Sequence, residues 1–129
     1  VPYLAIVDDE EPVRKALKRL LVASGFEVDS YADGRDFLAS TGRRPDCLIL
    51  DLHMPGMSGL QLLEALKAAG RALPTVVITA YDAPEMPEQC RAAGVSAYLR
   101  KPLDERILLN SISSSLARSN SRGHPSPRR

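Results

Sequence analysis

The sequence predicts a doubly wound α/β domain. Three observations carry that expectation: five short strand-like runs, helical stripes alternating with them, and carboxylates closing two of the runs. Strands alternating with helical patterns are the signature of a parallel sheet covered on both faces. Runs such as Leu4-Ala5-Ile6-Val7 and Leu48-Ile49-Leu50 lack polar alternation, as expected of strands buried on both sides. Asp8 and Asp9 follow the first run and Asp51 follows the third. In such a sheet, ligands gather in the crevice beyond the carboxyl ends of the strands.

The first strand is expected over 3–7. Glu10-Glu11-Pro12 then supplies acids and a proline suited to a first helical turn, and Val13, Ala16, Leu17, Leu20 and Leu21 recur at helical spacing up to Gly25. Residues 27–31 alternate polar and apolar, which fits a half-exposed edge strand. A short helix follows over about 33–40, and the turn Thr41-Gly42-Arg43-Arg44-Pro45 leads to the strand at 47–50. Beyond Asp51, the proline and two glycines of 53–59 mark a tight loop, and Leu60, Leu63 and Leu66 mark a helix ending near Gly70. The β-branched run 75–79 reads as a central strand. Pro84 and Pro87 are expected to delay and shorten the fourth helix, which stops at Gly94, because neither offers a backbone N–H. A last strand is expected over 97–99, and Leu108, Leu109, Ile112 and Leu116 form the final helical stripe.

A chain of 129 residues suits one domain with one core. Residues 1–116 carry 13 Lys/Arg against 16 Asp/Glu, a net of −3, whereas 117–129 adds Arg118, Arg122, Arg128 and Arg129 and no acid. The folded part thus carries no basic footprint for nucleic acid. The domain is expected at 1–116, and 117–129, which lacks any large apolar residue, as a flexible basic tail, a linker or a vector remnant. Cys47 and Cys90 show neither CxxC nor Cys/His spacing, so they read as small thiols of a cytoplasmic protein rather than as zinc ligands or a disulfide. No apolar stretch has the length of a membrane span.

Asp8, Asp9 and Asp51 would repel one another at one sheet edge and lose hydration there, so together they imply a divalent cation, most simply oxygen-ligated Mg²⁺. Taken singly, each reads equally well as a helix N-cap. Val7-Asp8-Asp9-Glu10, Asp51 with Met54-Pro55-Gly56 and Ser58-Gly59, Thr79-Ala80, and Lys101-Pro102 occur in order, each motif at the end of its own expected strand. In this the chain resembles the receiver domain of two-component response regulators over about residues 3–116. The wording around Glu11-Pro12-Val13 and Pro55-Gly56 is most similar to receivers that precede helix-turn-helix DNA-binding domains.

The resemblance implies the flavodoxin-like, five-stranded parallel sheet of order 2-1-3-4-5 with five helices. It implies that Asp51 accepts a phosphoryl group from a sensor histidine kinase or phosphotransfer protein. Asp9 and Asp51 would ligate Mg²⁺ directly, His53 through its backbone carbonyl, and Asp8 through a water. Lys101 would pair with the Asp51 carboxylate and then with a phosphoryl oxygen, and its bond to Pro102 would be cis. Thr79 would donate its hydroxyl to the phosphoryl group while Ala80 leaves room for it. Tyr98 would be the aromatic switch that carries the event to the last strand and helix, where phosphorylation would favour a homodimer. The protein would catalyse only its own phosphorylation and dephosphorylation, and regulate an output such as transcription without itself binding DNA. His53 and Tyr81 stand at positions that vary in the family and flank the route of an attacking water.

An alternative class is a Mg²⁺-dependent phosphohydrolase with an aspartyl nucleophile. Enzymes of the haloacid dehalogenase type place a second Asp two residues after the first, where this chain has His53. A flavin- or nucleotide-binding flavodoxin-like protein would need a Gly/Ser/Thr-rich loop after the first strand, where this chain has Asp8-Asp9-Glu10-Glu11.

Overall fold

The structure, a computed structural model, describes residues 1–80 and 83–123, with side chains up to Arg118. Five strands alternate with five helices: β1 Tyr3–Val7, α1 Glu11–Ala23, β2 Glu27–Tyr31, α2 Gly34–Ala39, β3 Cys47–Asp51, α3 Gly59–Ala68, β4 Thr75–Thr79, α4 Met86–Ala92, β5 Ala97–Arg100 and α5 Glu105–Gly123. All pairings are parallel and the strand order is β2-β1-β3-β4-β5, as the resemblance implies.

Strand periodicity divides the core into two layers. Leu4, Ile6, Ile49, Val76 and Ile78 face Leu17 and Leu21 of α1 and Leu108 and Ile112 of α5. Their neighbours Ala5, Val7, Leu48 and Leu50 point the other way, onto Phe37 of α2 and Leu62 and Leu66 of α3, because successive side chains of a strand alternate faces. Leu52 and Val77 continue that second layer onto Cys90 of α4. β3 and β4 are buried along their whole length, while β2 alternates exposed and half-buried positions, the edge character expected from its polar alternation.

Where the elements begin and end follows local chemistry. Ser58 caps α3 in a reciprocal capping box with Gln61, which satisfies two otherwise orphaned backbone groups. α4 starts at Met86 with Pro87 in its first turn, short as the two prolines require. The Lys101–Pro102 bond is cis. Cys47 and Cys90 are free and buried, and burial pushes the Cys47 thiol up to about 11, which fits an inert core group.

α5 differs from the expectation for the tail. Its helix runs past Leu116 to Gly123, and Arg118 Nη2 donates to the Ser96 carbonyl at 3.2 Å. The sequence stripe ends where apolar residues end, but a helix already nucleated propagates through Ser and Arg at little cost. The remainder of the expected tail, 124–129, lies outside the described residues, as does Tyr81.

Candidate functional site

Register brings the singled-out residues to one edge. Val7 pairs with Leu50, Asp51 with Ile78, and Thr79 with Arg100, so Asp8-Asp9, Asp51, Thr79 and Lys101 all stand at the carboxyl ends of β1, β3, β4 and β5. Carboxylate oxygens of Asp8, Asp9 and Asp51 lie within 4.8 Å of one another. Asp8 is fully buried and Asp51 is 3% exposed.

The hydrogen bonds around the cluster are few. Asp8 Oδ1 accepts from the Glu10 N–H at 2.9 Å, and Asp51 Oδ1 accepts from the His53 N–H at a long 3.3 Å. Asp9 Oδ1 is buried with no hydrogen-bond partner among the described residues. A buried acceptor left so calls for a partner, which a cation would supply. Hard carboxylate oxygens converging with one orphaned acceptor are the donor set an oxygen-seeking divalent ion requires.

The Lys101 ammonium joins the cluster from the end of β5. Its Nζ lies 2.8 Å from Glu10 Oε1, 3.3 Å from Asp8 Oδ2 and 3.9 Å from Asp51 Oδ2. The resemblance implies a pairing with Asp51; in the structure Lys101 forms an ion pair with Asp51 at 3.9 Å, while its hydrogen bonds go to Glu10 and Asp8. Burial alone would lower the lysine's pKa, but the Glu10 hydrogen bond and the charges of Asp51 and Asp8 hold it above its ordinary value. The same contact holds Glu10 below the usual carboxylate range.

Asp51 shows the reverse effect. Desolvation first, and then the negative charge of Asp8, push its carboxyl up to about 7, against the opposing pull of Lys101 and the His53 N–H. Asp8 is raised as well, chiefly by burial.

Of the other residues, Thr79 is fully buried at the end of β4, and its carbonyl accepts from the Lys101 N–H at 2.8 Å, which fixes where the lysine leaves the sheet. Tyr98, half-buried on β5, packs with Leu60, Met86 and Val95 around Leu52, Val77 and Cys90, on the face of α3 and α4. His53 is exposed. Gly59 has a role that the loop reading missed: a Cβ there would lie 2.7 Å from the Asp51 carbonyl and 2.8 Å from Leu52 Cα. Only glycine lets the start of α3 close onto the end of β3.

Two further residues, to which the sequence assigned no role there, join the site. Glu10 reads in sequence as a first-turn acid, yet its carboxylate holds Lys101. Arg14 of α1 donates its Nη1 to the Asp8 carbonyl at 2.7 Å.

Fold and site together define a flavodoxin-like domain whose carboxyl edge concentrates buried acid beside one lysine. The sequence profile of the response regulator receiver domain matches residues 4–113, and the chain belongs to that family. It is 37% identical over 108 residues to the transcriptional regulatory protein FixJ of Rhizobium meliloti (strain 1021), covering 83% of this chain and 53% of that protein. The response regulator MprA of Mycobacterium leprae (strain TN) is 38% identical over 113 residues, covering 87% of this chain and 50% of the other. A crystal structure of FixJ-N superposes with a TM-score of 0.83 at 34% identity, covering 91% of this chain and 94% of that one. The chain therefore spans about half the length of the curated relatives it matches. These relatives are signalling regulators and do not favour the phosphohydrolase alternative. No helix among the described residues is long and apolar enough to cross a membrane.

Proposed function

We propose that Asp51 accepts a phosphoryl group from a phosphohistidine of a partner kinase or phosphotransfer protein, and that the domain switches an output in response. The observation that carries this reading is the environment of Asp51: a buried carboxylate held between two acids and one ammonium at the end of a central strand. Asp51 Oδ attacks phosphorus, the new P–O bond forms as the P–N bond breaks, and the departing imidazole nitrogen keeps the electron pair and takes a proton from solvent. The product is an acyl phosphate.

A nucleophilic carboxylate has to be ionised, and one titrating near 7 is only half so at neutral pH. Asp9 and Asp51, with the His53 carbonyl and Asp8 through water, would hold Mg²⁺, which supplies the positive charge that ionises Asp51 and neutralises phosphoryl oxygens. Lys101 stabilises the charge developing on the transferred group. Thr79 offers its hydroxyl to the phosphoryl oxygens, and Tyr98 responds to that movement.

We assign the receiver unit to 1–116, since Leu116 is the last large apolar residue packed against the core, and 117–129 to a connection leading out of it. A cytoplasmic module that regulates transcription through a further domain is the output reading, in line with the names of the relatives. Incubation with acetyl phosphate and Mg²⁺ is expected to add one phosphoryl mass. Asp51→Asn is expected to abolish that gain; undiminished labelling of the variant contradicts the assignment.

A further inference from the structure

We infer that Glu10 is a positioning residue that keeps the Lys101 ammonium off Asp51 until a phosphoryl group arrives, and then releases it. The inference rests on the receiver reading above. Three observations support it. Lys101 Nζ reaches Glu10 Oε1 at 2.8 Å but stays 3.9 Å from Asp51 Oδ2, so the shortest contact of the lysine is not with the residue it would serve. Glu10 also occupies the N-cap of α1 with an extended backbone, yet its side chain makes no capping hydrogen bond. Glu is a poor N-cap residue compared with Ser, Thr, Asp or Asn, and here its carboxylate is turned away from the helix and committed to the lysine.

The third observation is the difference in burial among the partners. The side chain of Glu10 is 56% exposed, whereas those of Asp8 and Asp51 are at most 4% exposed. Water can take over the Glu10 carboxylate when the lysine leaves, but cannot readily solvate Asp8. Replacing the Asp51 carboxylate by a phosphoryl group adds negative charge and reach on that side of the ammonium, so Lys101 is drawn to it and the exposed partner gives way. Glu10 is thus a weak latch on the unmodified state: it opposes phosphoryl uptake by the free energy of one partly exposed ion pair.

Beryllofluoride with Mg²⁺ is the probe, because it mimics the phosphoryl group at a carboxylate without turnover. With Mg²⁺ and fluoride fixed, bound anion is followed by ¹⁹F NMR as beryllium is added, in wild type and Glu10→Gln. The variant is expected to half-saturate at a concentration about threefold lower. The Lys101 Nζ resonance is expected to differ between the two proteins without the anion and to coincide when it is bound, because the Glu10 contact exists only in the first state. An unchanged midpoint, or a difference in the Lys101 resonance that persists with the anion bound, overturns the latch. Failure of the wild type to take up the anion at all overturns the receiver reading, and the latch with it.

Discussion

The raised carboxyl of Asp51 carries a stability cost of definite sign. Its pKa in the fold is pushed up to about 7 by desolvation and by Asp8, above the roughly 3.9 of an unfolded aspartate. The contribution it makes to stability is therefore fully present below about pH 4 and is lost as pH rises through about 7. In EDTA, wild type is expected to lose stability across that window, and Asp51→Asn to lose less, because it lacks this group while the raised Asp8 remains. At pH 8 the variant should be the more stable by on the order of 1–4 kcal/mol, and Mg²⁺ should narrow the gap by compensating the charge. Thermal melts of both proteins at pH 5 and pH 8, with EDTA or Mg²⁺, check this. A variant that melts lower than wild type at pH 8 in EDTA would mean that the Asp51 carboxylate supports the fold. The sequence showed that acids converge at this edge because strand ends are readable from apolar runs. It did not show which acid Lys101 would meet, since the choice of Glu10 between capping α1 and binding the lysine lies in side-chain torsions that periodicity does not encode.

Among the elements, the junction of β3 and α3 decides how Asp51 is placed. Ser58 caps the helix and Gly59 lets it close onto the strand, with space for no Cβ beside the Asp51 carbonyl and Leu52. Gly59→Ala is expected to destabilise the protein by about 1–3 kcal/mol, the usual cost of forcing a methyl group into a packed contact. It should also slow labelling by acetyl phosphate, because the carbonyl it displaces belongs to the acceptor itself. Urea unfolding and labelling rates measured together test both parts; a Gly59→Ala protein with wild-type midpoint and rate would mean that the junction yields freely. The glycine was legible as a loop signal, but its reason, close approach rather than a turn, became visible only with the strand beside it. The helix α5 shows the opposite case: its length beyond Leu116 had no apolar stripe to announce it, and propagation together with the Arg118 bond to the Ser96 carbonyl accompanies its course to Gly123.

For the whole molecule, the two-layer core connects the acidic edge to the β4–β5 side of the sheet. Tyr98 shares a cluster with Val77 of β4 and Cys90 of α4; under the proposed function, a shift at Thr79, two residues beyond Val77 on the same strand, would reach the β5 side through these packed side chains. A symmetric pair formed on the β5–α5 side would let one patch serve both partners. The beryllofluoride-Mg²⁺ form is expected to raise the dimer fraction in sedimentation, and Thr79→Ala to lower that response while Mg²⁺ binding persists. An unchanged monomer at high micromolar concentration would refute dimerisation as the output. The central claim is narrower: one carboxylate among three neighbouring acids forms the acyl phosphate. Treating the acetyl phosphate-labelled protein with borohydride reduces an aspartyl phosphate to homoserine, and peptide mass mapping then locates it. The expected result is a Mg²⁺-dependent homoserine at position 51 and at neither 8 nor 9; reduction at Asp8 or Asp9, or at no aspartate of the cluster, would contradict the account.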